Sequence, residues 1–192
     1  MCGPNHPLTR RSLSAALMLV AVPAQACLVA GVQDGDTLSV VCDGRKMTVD
    51  LAEIDAPELG QDFGTRSRQS LSDMCYRREA RLVNPRARPD GRVVAQVYCD
   101  GVPASAEQLR RGMAWVAEDE VDDQTLYVAQ HIAQHARRGL WSGENPVAPW
   151  EWRRVALRTE QAARAKAARR APPKEEPPDN AFVAFFKRLF GQ

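Results

Sequence analysis

Apolar and polar positions alternate with a period of two in three consecutive stretches of the chain. Cys27–Gln33, Thr37–Cys42 and Met47–Ile54 are rich in Val, Leu and Thr and are separated by Asp34-Gly35 and Asp43-Gly44. They predict a meander of three strands joined by tight turns. A helical spacing follows in Gly64–Tyr76, with Leu71, Met74 and Cys75 on one side. Ala80–Asn84 and Arg92–Cys99 predict two further strands around the turn-rich Pro85–Gly91, and Ala104–Gly112 and Leu126–Arg138 predict two further helices. Five short strands with interspersed helices point to a mainly β domain with helices (α+β), built on a small closed sheet.

The pattern changes at both ends. Arg10 and Arg11 precede an apolar run over Ser12–Val22, and Ala24-Gln25-Ala26 fits the small-residue cleavage rule. Residues 1–26 therefore read as a secretory signal cleaved after Ala26, which places the mature protein in the periplasm or outside the cell. After Trp152 the composition turns to Ala and Arg, and Arg153–Arg170 reads as a solvated helix. Ala171–Asp179 reads as a Pro-rich linker. Asn180–Phe190 is an amphipathic segment suited to a membrane surface, a partner protein or its own domain. These breaks divide the chain into 1–26, a folded domain over 27–154, a helix and linker over 155–179, and a C-terminal segment over 180–192, with a helical or disordered tail after the barrel. A monomer is expected.

Export makes the cysteines informative, because an oxidising compartment allows them to pair. Cys27, Cys42, Cys75 and Cys99 remain once the signal is removed. A hairpin centred on Asp34-Gly35 sets Cys27 opposite Cys42, and Cys75 with Cys99 follows by elimination. The formal charge of +2 conceals a split. Cys27–Pro149 holds 14 Lys and Arg against 19 Asp and Glu, whereas the chain from Trp150 onward holds 10 against 5.

Carboxylates gather in two motifs. Asp34-Gly35-Asp36-Thr37 opens the second strand, and Asp55-Ala56-Pro57-Glu58 closes the third. Either alone is adequately explained as a turn or a helix start. Antiparallel pairing brings them to one end of the sheet, where carboxylates repel unless a cation neutralises them. An all-oxygen set suits a hard ion, Ca²⁺ ahead of Mg²⁺ or Mn²⁺. Glu58, one turn beyond Asp55, is placed to take a proton from water. Arg92, after Asp90-Gly91, offers a fork of donors for a phosphate. His131 and His135 have helical zinc-pair spacing but no evident third ligand, and Trp141 and the Trp150–Trp152 run are expected to pack the C-terminal segment onto the barrel.

The segments VQDGDTLSV, IDAPE, the GR pair before VVAQVYCDG, LRRGMAWV and ARRGLWSGENPVAPWEWRR, in that order, resemble the staphylococcal nuclease (thermonuclease) family over about Ala30 to Arg154. The resemblance implies an OB-type five-stranded barrel with three helices over 27–154. It also implies hydrolysis of phosphodiester bonds in DNA and RNA. By resemblance, Asp36, Asp55 and the backbone carbonyl of Ala56 would hold Ca²⁺, with Asp34 supporting the ion through water. Glu58 would be the general base, and Arg92 would stabilise the phosphate.

Three positions depart from that pattern. Asp50 stands where the family has a second arginine, and Asp90 and Glu118 stand where tyrosines are usual. The acidic run Glu118–Asp123 adds repulsion toward a polyanion. Arginines of 153–170 would offset this if that segment crossed the cleft. The sequence thus supports a metal-dependent endonuclease. The alternative is a weak or inactive nuclease-like module that binds nucleic acid or protein. Asp50, an added metal ligand in one reading and a lost arginine in the other, separates the two.

Overall fold

A computed structural model describes residues 26–119, 121–170 and 179–191. The expected signal segment up to Gln25, most of the Pro-rich linker and Glu120 lie outside them.

Three strands form the expected meander: β1 (Ala26–Val32), β2 (Thr37–Cys42) and β3 (Arg45–Leu51). Their inward positions Val29, Leu38, Val40, Val49 and Leu51 are buried, as a period-two pattern requires when one face meets a core. After β4 (Ile54–Asp55) and helix α1 (Gly64–Cys75), the chain returns in β5 (Glu79–Ala87) and β6 (Val93–Cys99). The order β3-β2-β1-β5-β6 closes on itself because β6 pairs with β3 in parallel, giving a five-stranded barrel. Closure leaves no edge strand in the barrel and is the OB-type α+β architecture.

The remaining elements plug and flank the barrel: β7 (Val102–Pro103), α2 (Ala104–Arg110), β8 (Trp115–Val116), α3 (Thr125–His135) and a 3-10 turn over Gly139–Ser142. Leu71 and Cys75 of α1, Leu109 of α2, and Leu126 and Ala129 of α3 join the barrel interior in one core. Helix α4 (Pro149–Arg170) begins with Pro at its first position and carries Glu151 in its first turn, both favourable at a helix start. Helix α5 (Asp179–Phe190) exposes Phe185, Phe186, Leu189 and Phe190. No helix among the described residues is long and apolar enough to cross a membrane.

Both expected disulfides are present. Cys27 and Cys42 face each other in the β1–β2 register with Cα atoms 4.4 Å apart, the separation of a non-hydrogen-bonded antiparallel pair. Cys75–Cys99 ties the end of α1 to the end of β6. Two disulfides point to an oxidising compartment.

Three local features differ from the sequence reading. β3 stops at Leu51 rather than running to Ile54. The chain bends there, Glu53 adopts φ 69°, and Ile54–Asp55 pairs with β8 instead. Glu53, inside the expected strand Met47–Ile54, falls instead in this bend and is buried. Its carboxylate accepts the backbone N–H groups of Asp122 and Asp123 at 2.7 and 2.8 Å. Asp34-Gly35 reverses the chain, but in a loop longer than a two-residue turn, since Val32 pairs with Leu38. Gly35 is needed there for close approach: a Cβ would lie 1.9 Å from Ser67 Oγ on α1.

Candidate active site

The β1–β2 loop is fixed before any chemistry is considered. Buried Gln108 on α2 donates from its side-chain amide to Gly35 O at 2.7 Å and to Ser67 O at 3.1 Å. The loop is thereby held against both α1 and α2. Asp34 Oδ1 accepts the backbone N–H of Asp36 at 3.1 Å. Asp36 in turn reaches across to the second acidic motif, where its carboxylate accepts the N–H of Ala56. The two carboxylate motifs therefore meet, by way of the bend after β3 and the β4–β8 pairing.

Glu58 follows Pro57 at the rim. Its carbonyl accepts Gln61 N–H at 2.8 Å and packs so closely on Gly64 that a Cβ there would come within 1.9 Å of it. The backbone of the candidate base is thus held by the start of α1, while its side chain stays 41% exposed.

Together Asp34, Asp36, Asp50, Asp55, Glu58 and Arg92 line one open cleft of about 430 Å³, with Thr37, Arg88 and Arg153 among its other walls. The structure thus brings together the sequence-predicted acids and Arg92. Asp90 lies outside this lining, in an exposed turn, where its carboxylate accepts the N–H of Arg92 at 3.1 Å. Glu118 is exposed beside Asp55 and Arg153 in an adjoining depression. His131 and His135 are exposed on α3, and His131 pairs with Gln134. Trp141 and Trp150 pack on Trp115, with ring centroids 4.8 and 6.5 Å away, and so anchor the start of α4 beside β8.

Asp36 is the most perturbed acid. Burial pushes its carboxyl well above the usual carboxylate range, and the nearby charges of Asp34 and Asp55 push it further, against the opposing Ala56 N–H. Carboxylates that raise one another in this way form a site that gains from a cation. The oxygen-only donor chemistry fits a hard ion. As the side chains stand, however, no three acids, histidines or cysteines among the described residues converge tightly enough to hold one. Both oxygens of Asp55 accept from Arg153 instead, at 2.6 and 3.1 Å.

Arg92 is similarly engaged. Its Nη2 donates to Asp50 Oδ1 and, at 3.1 Å, to Thr37 Oγ1. Asp50 projects into the cleft, as the alternation Val49–Asp50–Leu51 requires when the flanking residues enter the core. Burial raises the Asp50 carboxyl, and the charge of Arg92 pulls it back down. Sequence reasoning did not place Thr37 or Arg88 in the cleft, and brought Arg153 there only with the whole 153–170 segment crossing it. Helix α4 does not cross the mouth: residues 151–170 are exposed throughout, and of its arginines Arg153 alone lines the main cleft.

A closed β-barrel with acids and arginines lining one cleft defines the class: an OB-fold protein with a hydrolase-like site. Residues 48–143 match the family described as staphylococcal nuclease homologue. An uncharacterized endonuclease of Haemophilus influenzae is 36% identical over 155 residues, which span 77% of this chain and 87% of that protein. A micrococcal nuclease of Shigella flexneri is 36% identical over 160 residues, spanning 76% of this chain and 92% of that protein. Protein ParB of Escherichia coli is 34% identical over 164 residues, spanning 78% and 93%. The chain belongs to the staphylococcal nuclease family, and with that it takes its place among the nuclease hydrolases.

Proposed function

We propose that the protein is a metal-dependent endonuclease, exported to the periplasm or beyond, that hydrolyses phosphodiester bonds of DNA or RNA. The observation that carries this reading is the hydrogen bond from Ala56 N–H to Asp36. It joins the Asp34–Asp36 loop to the Asp55–Glu58 segment in the cleft that also holds Arg92. Asp36, Asp55 and the Ala56 carbonyl would hold the ion, Ca²⁺ ahead of Mg²⁺ or Mn²⁺, with Asp34 behind them. When bound, the ion supplies positive charge to a phosphate oxygen. Glu58 accepts the proton of the water that attacks phosphorus, and the P–O bond on the opposite side breaks with its electron pair going to the departing oxygen, which takes a proton from solvent. Arg92 donates to the non-bridging oxygens as their charge grows, for which it must leave Asp50.

The engagement of Arg92 by Asp50 favours a second reading, a weak or inactive module that keeps the barrel and binds nucleic acid or a protein. One assay separates the two. Residues 27–192 with disulfides formed are tested on single- and double-stranded DNA and on RNA with Ca²⁺, Mg²⁺, Mn²⁺ or chelator. Cleavage that chelator abolishes and Ca²⁺ restores supports the nuclease. Activity no higher than that of Glu58→Gln leaves the binding module.

A further inference from the structure

Arg153 performs a task that neither acidic motif announces. Its Nη2 donates to Asp55 Oδ2 at 2.6 Å, and its Nη1 donates to Asp55 Oδ1 at 3.1 Å and to Glu58 Oε1 at 2.8 Å. One planar fork thus bridges the candidate ion ligand and the candidate base. The fork matches two oxygens of a phosphate as well as it matches two oxygens of a carboxylate. Arg153 is also placed to exchange one for the other. Its backbone stands near the start of α4, three residues after Trp150 and its contact with Trp115, and Trp115 pairs with Asp55 across β4 and β8. Its side chain is 46% exposed, so the guanidinium can swing about a fixed base without unfolding anything.

We propose that Arg153 is a phosphate-binding residue of this cleft, held in reserve on Asp55 and Glu58. It is freed for substrate when Asp55 turns to a cation. The inference rests on the metal-dependent reading above and deepens it. Arg153 takes up a lone pair on each Asp55 oxygen and fixes the orientation of the carboxylate, so an incoming ion competes with it for the same negative charge. While Glu58 Oε1 accepts from Arg153, that oxygen is occupied by the guanidinium rather than by a water. Once Arg153 has moved away, the base is released and a second guanidinium is available to the phosphate in the cleft that Arg92 also lines. The resting cleft is thereby restrained by its own cation.

The test uses the mature chain carrying Arg153→Ala or Arg153→Lys, with thermal melts to confirm folding. Calorimetry with Ca²⁺ alone reads the competition. Fluorescence anisotropy with a labelled, hydrolysis-resistant phosphorothioate oligonucleotide at saturating Ca²⁺ reads phosphate binding. In Arg153→Ala the Kd for Ca²⁺ is expected to fall by about threefold, the size of a partly exposed ion pair. The Kd for the oligonucleotide is expected to rise by about tenfold, the loss of a charged donor fork. Arg153→Lys, which keeps the charge without the fork, should lie between wild type and Arg153→Ala for the oligonucleotide. Shifts of opposite sign are what a merely structural role would not produce. The proposal is overturned if either constant is unmoved, if both weaken together, or if the wild-type chain binds no Ca²⁺. Neither measurement needs turnover. Opposed shifts in a protein that cleaves nothing would remove the nuclease and keep Arg153, whereas cleavage with both constants unmoved would remove Arg153 alone.

Discussion

Asp50 holds Arg92. The guanidinium that would meet a phosphate is paired with a carboxylate on the neighbouring strand β3, and Thr37 Oγ1 braces the pair by donating to Asp50 at 3.1 Å. Asp50→Asn preserves shape and removes the charge that restrains Arg92. We expect kcat/KM for oligonucleotide cleavage to rise by about tenfold, a fraction of the 10²–10³ that one positioned donor is typically worth. A fall, with weaker Ca²⁺ binding, would instead assign Asp50 to the ion. The same substitution has a defined pH signature. Burial lifts the Asp50 carboxyl above its ordinary value of 3.8, so its linkage term favours folding below that value and is lost as pH rises through the folded pKa. Denaturant titrations should therefore show the stability of Asp50→Asn relative to wild type improving as pH is raised from about 3.8 to neutrality.

Glu53 is a different kind of acid. Its buried carboxylate takes two backbone N–H groups from the loop before α3 and, at 3.4 Å, a weak contact from the Gln96 amide. Glu53→Ala leaves those donors unpaired and is expected to cost about 2–3 kcal/mol of stability in urea unfolding. Glu53→Gln keeps an acceptor oxygen and should cost about half as much. Equal stability of all three proteins would show that the Asp122–Asp123 loop takes nothing from Glu53.

The contrast between these acids shows what was legible in the sequence. Alternation around Val49 and Leu51 placed Asp50 on the face opposite the core, and local turn residues bounded the five strands and three helices of the barrel domain. Glu53 lies two residues beyond Leu51, so a continued alternation points inward, while its charge argues for solvent. The bend that ends β3 and the donors that satisfy it come from a loop some seventy residues later. No local pattern encodes that partnership. Arg153 was hidden for a similar reason. An Arg in a basic helical segment looks solvated, and only the packing of Trp150 on Trp115 aims this one at Asp55. The meeting of Asp36 with Ala56 was legible as two ends of adjacent strands, though the bend after Leu51 that completes it was not.

The disulfides act on different parts of the fold. Cys27–Cys42 closes 15 residues of a hairpin that the barrel already holds, whereas Cys75–Cys99 joins a helix to a strand across 24 residues. Loop entropy alone makes the second slightly more stabilising, each being worth about 3 kcal/mol. Cys75→Ser/Cys99→Ser should therefore unfold at lower denaturant than Cys27→Ser/Cys42→Ser, each well below wild type. A wild-type midpoint unchanged by reductant would show that neither bridge forms.

Glu107 on α2 provides a pH test away from the cleft. Burial alone would raise its carboxyl, but hydrogen bonds from Arg111 and Arg110, at 2.8 and 3.1 Å, outweigh that and hold it below its ordinary value of 4.5. A depressed carboxylate contributes stability above the unfolded pKa and loses it as pH falls through the folded one. Both arginines are more than a third exposed, so solvent screening limits the contribution to about 0.5–1 kcal/mol. Glu107→Gln should show that deficit at pH 7 and converge on wild type as pH falls below 4.5 toward the lower folded pKa. Arg111 also donates to Ser70 on α1 at 3.3 Å. Arg111→Ala should therefore lose more than Glu107→Gln and retain part of its deficit at low pH, because the Ser70 contact does not titrate. Equal losses that vanish together would confine the role of Arg111 to its ion pair.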